Sequence, residues 1–163
     1  MLYIRRTMND GRRLHVFRGY PCSICNSVCF PDLYVSLYFM LLLLGIEARG
    51  FIFGPAIALA IGAKFIPLRK PGKLPGAVIS ENYTLEYGTD CLEMHVGAVE
   101  PGDRVVVVDD LVATGGTLSA AIKLLERAAA DVVECACLIG LPKFKDFYKL
   151  DGKPVYILVE SKK

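Results

Sequence analysis

The chain is 163 residues long, which fits a single domain that can bury its own core. Hydrophobic residues make up 53% of it and charged residues 22%, a composition that argues against disorder over most of the length. The formal net charge of +2 creates no strong field, and the composition therefore does not suggest a nucleic-acid-binding protein.

Residues 1–32 show no clear periodicity and mix basic residues, cysteines, glycine and proline. Cys22, Cys25 and Cys29 form a C-x2-C-x3-C pattern there. One interpretation is a metal or cluster site with His15 as a further ligand. We favour free, reduced thiols in an intracellular protein, because no fourth nearby cysteine completes such a site.

Residues 33–46, LYVSLYFMLLLLGI, are the one membrane candidate in the sequence. The run is shorter than the roughly 20 residues that a spanning helix needs. No small-x-small cleavage site follows it, as a signal peptide would require. We therefore predict a buried strand over 39–46, with a membrane or signal segment as the alternative. We also place a domain boundary here, between a divergent segment (1–38) and the folded domain (39–163).

Strand and helix signals alternate after residue 39. A short apolar helix has proline near its first turn, and Gly62 ends it. A hairpin with an exposed tip at 83–90 follows a loop rich in Pro-Gly pairs. We predict the helix over 55–61 and a strand over 64–68. The loop covers 70–80, the hairpin 78–99 and a turn 100–103.

A continuous apolar run at 105–108 predicts a strand that is buried on both faces. A helix that begins at Gly115 or Gly116 follows it, with a core face of Leu118, Ile122, Leu125 and Ala129. Strands at 132–139 and 155–159 complete the pattern. Because strands alternate with helices, we predict an α/β fold with a parallel sheet that binds ligands at the carboxyl ends of its strands.

The stretch DDLVATGGT at 109–117 lies between that buried strand and the helix. Its glycines allow the backbone to approach an anion closely, and the helix N-terminus favours negative charge. Asp109 and Asp110 suit neutral hydroxyls, such as those of a ribose attached to the bound phosphate. The predicted phosphate loop comprises Ala113, Thr114, Gly115, Gly116 and Thr117. An ordinary turn with an Asp or Thr helix cap is the alternative.

The stretch VVVVDDLVATGGT resembles the phosphoribosyl-pyrophosphate signature of the type I phosphoribosyltransferases. With GIEARGFIFGPAIALAIGAKFIPLRK, SENYTLEYG and VGAVEPGDRVVVVDD, the chain is similar to the adenine phosphoribosyltransferase family over about residues 45–160. The resemblance implies the type I fold, a mainly parallel central sheet flanked by helices with a flexible β-hairpin lid.

The resemblance also implies roles for individual residues. Arg49 would bind pyrophosphate, and the bond between Glu47 and Ala48 would be cis. The alternative for Arg49 is a surface arginine after a turn. The loop after the second strand contains the basic residues Arg69, Lys70 and Lys73. They would lie near the pyrophosphate, partly from the neighbouring subunit of a dimer. A solvated basic loop is the alternative.

Glu86 and Tyr87 belong to the lid, on which Glu86 would handle the proton of the purine. A polar hairpin tip without catalytic function is the alternative. A lid excludes water that would otherwise capture an oxocarbenium-like sugar. His95 is predicted to be a strand residue without a catalytic role.

The implied activity is purine salvage: adenine and 5-phosphoribosyl 1-pyrophosphate give AMP and pyrophosphate. The resemblance implies that Mg²⁺ is held mainly through the substrate. It also implies a homodimer in the cytoplasm, without nucleic-acid or membrane partners. Residues 1–38 do not match the family's adenine hood or the helix before GIEARG. The alternative is therefore a catalytically impaired isoform or paralogue that binds phosphoribosyl pyrophosphate or AMP without turnover.

Overall fold

The structure is a computed structural model, and it describes residues 42–85, 88–144 and 149–161. The predictions for residues 1–38, including Cys22, Cys25 and Cys29, lie outside these ranges, as do those for Glu86 and Tyr87. In the described ranges, no helix combines the length and apolar character needed to span a bilayer.

The described elements follow the predicted alternation of strands and helices. In chain order they are β1 (Leu42–Ile46), α1 (Gly50–Ile61), β2 (Lys64–Leu68), β3 (Val78–Leu85), β4 (Gly88–His95), β5 (Arg104–Val112), α2 (Gly116–Arg127), β6 (Asp131–Gly140), β7 (Lys149–Leu150) and β8 (Lys153–Glu160).

The main sheet has the strand order β2-β1-β5-β6-β8-β7, and β3 pairs with β4 in a separate antiparallel hairpin. The pairs from β2 through β8 are parallel, and β7 joins antiparallel at one edge. The predicted α/β fold with a mainly parallel sheet is thus confirmed. Pro67 lies on β2, an edge strand, where the missing N–H costs no ladder hydrogen bond on the open side.

The centre of the sheet explains the two aliphatic runs of the sequence. Every residue of β1 is buried, as are residues 105–108 of β5. Both strands have neighbours on either side, so continuous rather than alternating apolar sequence is required. The described part of the 33–46 run is therefore a core strand. The prediction for its earlier residues lies outside the described ranges.

Helix α1 begins at Gly50, so the predicted start at Pro55 is wrong. Proline favours a first turn but is tolerated here inside the helix, at the cost of one hydrogen bond. The earlier start is possible because position 50 has no side chain. A Cβ atom on Gly50 would lie 2.8 Å from the carbonyl oxygen of Val108, so glycine lets the helix approach β5.

Three further boundaries differ from the prediction. Strand β5 continues through Val112, so Asp109 and Asp110 are strand residues and not loop residues. The hairpin tip is shorter than predicted, because Tyr83 is buried and pairs across the hairpin with Asp90. Helix α2 ends at Arg127, which places Ala129 outside the core face, exposed and at a φ of 58°.

Helix α2 packs one apolar face on the sheet, and the hairpin strand β3 lies along it. At the end of the helix, Arg127 donates from Nη1 to the carbonyl oxygen of Ser80 at 2.6 Å and to Glu81 Oε2 at 2.9 Å. At its start, a Cβ atom on Gly116 would lie 3.4 Å from the carbonyl oxygen of Thr84. Strand β3 therefore runs towards the loop that precedes α2.

Candidate functional site

One cavity of about 260 Å³ lies at the carboxyl ends of β1 and β5. Parallel strands that end at the same sheet edge bring their following loops together, so segments far apart in sequence meet here. Most of the predicted substrate-binding residues line this cavity. The lining comprises residues 46–49, Lys70 and residues 109–118.

The predicted phosphate loop leads into a helix whose first turn has no side-chain cap. Gly115 precedes the helix at a φ of 87°, and neither Thr114 nor an aspartate accepts from the first-turn amides. The alternative of an Asp or Thr helix cap is therefore wrong. Backbone N–H groups at an uncapped helix start are suited to bind an anion.

Gly115 is also held by packing. A Cβ atom there would lie 3.0 Å from Leu150 Cδ1 and 3.0 Å from Phe144 Cε2. On the other side of the loop, Ser119 donates to Asp151 Oδ2, which joins the first turn of α2 to the turn between β7 and β8. The β7–β8 region was not predicted to contribute, because nothing in its sequence indicates contact with a loop so far away.

Asp109 and Asp110 are consecutive residues with different environments. Asp109 is 8% exposed, and its Oδ1 accepts from the Asp110 amide at 2.8 Å. Burial raises the pKa of Asp109 to about 7. Asp110 is more exposed and accepts from Arg49 Nε at 2.5 Å. The predicted pyrophosphate arginine and a predicted ribose carboxylate are therefore paired with each other across the cavity.

The loop after β1 contains a cis peptide bond between Glu47 and Ala48, as predicted. The carboxylate of Glu47 is 8% exposed and accepts from Lys73 Nζ at 2.5 Å, from Arg69 Nε at 3.2 Å and from the Lys70 amide at 2.9 Å. Burial favours the neutral acid, but the bonds from Lys73 and Arg69 outweigh it and lower the pKa of Glu47 to about 2.

The predicted basic cluster divides into two parts. Arg69 and Lys73 contact Glu47, which itself lines the cavity. Lys70 lines the cavity directly and donates to the Tyr83 hydroxyl at 2.7 Å and to Asp90 Oδ2. Tyr83 and Asp90 were not predicted as site residues, because the sequence analysis placed them at an exposed hairpin tip. In the structure they lie on the paired strands of the hairpin, and both contact Lys70.

The uncapped loop, the acidic pair and the loop after β1 all line this cavity. Residues 40–157 match the phosphoribosyl transferase domain family. The chain is 76% identical over 116 residues to adenine phosphoribosyltransferase 5 of Arabidopsis thaliana, a match that covers 71% of this chain and 61% of that protein. It is 69% identical over 151 residues to adenine phosphoribosyltransferase 2 of the same plant, covering 89% and 79%.

A solved structure agrees with these sequence matches. The Saccharomyces cerevisiae adenine phosphoribosyltransferase, complexed with an iminoaltritol bisphosphate and adenine, has a TM-score of 0.71 and 39% identity. The match covers 78% of this chain and 74% of that one. The chain belongs to the adenine phosphoribosyltransferase family.

Proposed function

We propose that this protein transfers the phosphoribosyl group of 5-phosphoribosyl 1-pyrophosphate to adenine, releasing AMP and pyrophosphate. The observation that carries the proposal is a cavity that combines an uncapped helix start with two adjacent carboxylates and cationic side chains. Each feature matches a different part of a phosphorylated, activated sugar. The activity is also the one in the names of the relatives above.

The 5′-phosphate would bind the main-chain amides of Ala113 to Thr117, with hydroxyl donation from Thr114 and Thr117. Asp109 and Asp110 would accept from the ribose hydroxyls. Because both carboxylates lie on the strand that leads into the phosphate loop, their distance from the phosphate is set by β5 itself. Holding the sugar at both ends would supply much of the rate by positioning.

The leaving pyrophosphate would bind Arg49, Lys70 and the backbone at Glu47 and Ala48. Arg69 and Lys73 would add positive charge nearby, or from the neighbouring subunit of a homodimer. In the described ranges no group of three or more His, Cys, Asp or Glu side chains could hold a metal ion. The oxygen pair of Asp109 and Asp110 nevertheless fits a magnesium ion that arrives mainly on substrate oxygens and water. When bound, Mg²⁺ neutralises charge on the leaving group.

Glu86 and Tyr87 would act from the hairpin, with Glu86 managing the purine proton. The support is the path of β3, which runs along α2 and brings the Thr84 carbonyl beside Gly116. Glu86→Gln should lower kcat by roughly two to four orders of magnitude, while ribose 5-phosphate binds as in the wild type. Glu100→Gln is the matched control, because Glu100 is an exposed residue before β5, outside the cavity lining.

The decisive experiment is a steady-state assay of the purified chain with adenine and phosphoribosyl pyrophosphate. AMP formation supports the transferase. Binding of ribose 5-phosphate without AMP formation would instead establish the non-catalytic alternative. An unreactive chain that binds no sugar phosphate would overturn both hypotheses.

We also propose a homodimer in the cytoplasm. Helix α1 is apolar on nearly all sides and leaves Ile52 65% and Leu59 85% exposed, which suits a subunit contact. Cys91, Cys135 and Cys137 are free, as is usual in a reducing compartment. Sedimentation of the wild type and of Leu59→Glu tests the dimer: a monomeric wild type, or an unchanged variant, would contradict this contact.

A further inference from the structure

Lys70 connects the cavity to the hairpin. Its ammonium group donates to the Tyr83 hydroxyl at 2.7 Å and to Asp90 Oδ2, and it lies 5.3 Å from the centroid of the Tyr83 ring. Tyr83 and Asp90 are also direct neighbours across the hairpin, with their side-chain oxygens 3.3 Å apart. Lys70 lines the cavity, whereas neither of these partners does.

The hydrogen-bond capacity of Lys70 limits what it can do for a ligand. A lysine ammonium has three N–H donors, and Tyr83 and Asp90 take two of them. One donor remains for an anion in the cavity. An anion there brings negative charge next to Asp90 Oδ2, and the two anions repel each other, whereas the neutral Tyr83 hydroxyl is not repelled in this way. A more highly charged anion would therefore gain a second donor by displacing Asp90.

The pair between Lys70 and Asp90 is open enough for such an exchange. Their side chains are 30% and 29% exposed, so water reaches both and makes the pair weaker than a fully buried one. Asp90 does not depend on Lys70 for its position, because its Oδ1 also accepts from the Cys91 amide at 2.8 Å. The carboxylate therefore has a backbone partner besides the ammonium.

We propose that Asp90 competes with pyrophosphate for Lys70 and so promotes pyrophosphate release. This inference rests on the proposed function and adds a residue to it. When pyrophosphate is bound, Lys70 keeps its bond to Tyr83 and turns its other donors to the ligand. When pyrophosphate leaves, Asp90 takes the ammonium back, which weakens product binding without touching the product.

A double-mutant cycle on pyrophosphate binding tests this proposal. The affinity for inorganic pyrophosphate with Mg²⁺ is measured by calorimetry for the wild type, Asp90→Asn, Lys70→Met and the double variant. Asp90→Asn should bind about three- to tenfold more tightly and show stronger product inhibition, since a weak ion pair no longer competes. In the Lys70→Met background the same substitution should change little.

Asn retains the Oδ1 acceptor for the Cys91 amide, so Asp90→Asn should fold. Asp131→Asn is the charge-matched control, because Asp131 is 59% exposed at the start of β6 and lies outside the cavity lining. This substitution should leave the pyrophosphate affinity unchanged.

Three results would overturn the proposal. Equal tightening by Asp90→Asn with and without Lys70 would mean that Asp90 acts only through its charge. Weaker binding by Asp90→Asn would mean that Asp90 positions Lys70 for the ligand. Both leave the proposed transferase intact. A wild type that binds no pyrophosphate would instead overturn the transferase, and this inference with it.

Discussion

The buried carboxyl of Asp109 lowers the stability of the folded protein when it is ionised. Its carboxyl is 8% exposed, and burial raises its pKa from an ordinary 3.8 to about 7. The folded protein therefore holds this proton more tightly than the unfolded chain does. The protonated Asp109 carboxyl contributes stability that is fully present below about pH 3.8 and is lost as the pH rises to about 7. Above that pH the folded state contains a buried, charged Asp109. This difference corresponds to an upper limit of about 4 kcal/mol.

Asp109→Asn removes the ionisation but keeps an oxygen that can accept from the Asp110 amide. The variant should be about 2–4 kcal/mol more stable than the wild type at pH 8, and at most about 1 kcal/mol more stable at pH 4.5. Activity should fall, because a ribose hydroxyl would lose a charged acceptor. Stability is measured by urea unfolding followed by far-UV circular dichroism, since the chain has no tryptophan.

The control for this comparison is Asp131→Asn. Asp131 is 59% exposed, so its replacement should give a stability difference that does not grow between pH 4.5 and pH 8. If Asp109→Asn were no more stable than the wild type at pH 8, burial would not dominate the ionisation of Asp109. The assignment of Asp109 as a carboxyl whose pKa is raised by burial would then be refuted.

Two more substitutions test the loops of the site. Gly115→Ala should lose about 1–3 kcal/mol of stability and bind ribose 5-phosphate more weakly, because its Cβ would press on Phe144 and Leu150. Gly102→Ala, with the same φ of 87° and open space around it, measures the backbone cost alone; equal losses in urea unfolding would contradict the packing argument. Glu47→Gln should lose about 1–3 kcal/mol at pH 7, since the lowered pKa of about 2 stabilises the fold above pH 4.5. The loss should shrink as the pH falls below 4.5 in thermal unfolding, and a constant loss would point to packing instead of charge.

The charged groups of the site are paired with one another. Arg49 bonds to Asp110, and Lys70 bonds to Asp90. A phosphorylated sugar that binds here must therefore exchange existing ion pairs for new ones. Under the proposed function, such exchange would lower the net gain from each new contact and help both anionic products to leave.

Several features of this protein could be predicted from the sequence because they depend on neighbouring residues. The apolar run before Asp109 could only be a strand buried on both faces, and the glycines at 115 and 116 predicted the helix start within one residue. The resemblance to a known family added the cis bond after Glu47. The first two follow from local sequence, whereas the cis bond was implied only by the resemblance.

Other features were decided only by tertiary structure. The start of α1 depends on the contact between Gly50 and Val108, and the proline signal alone places it too late. The partners of Lys70 depend on the register of the hairpin, which sets Tyr83 opposite Asp90. Ion-pair partners across long sequence separations leave no trace in the residues around them. Their identity follows from how strands align, which the composition of any single strand does not determine.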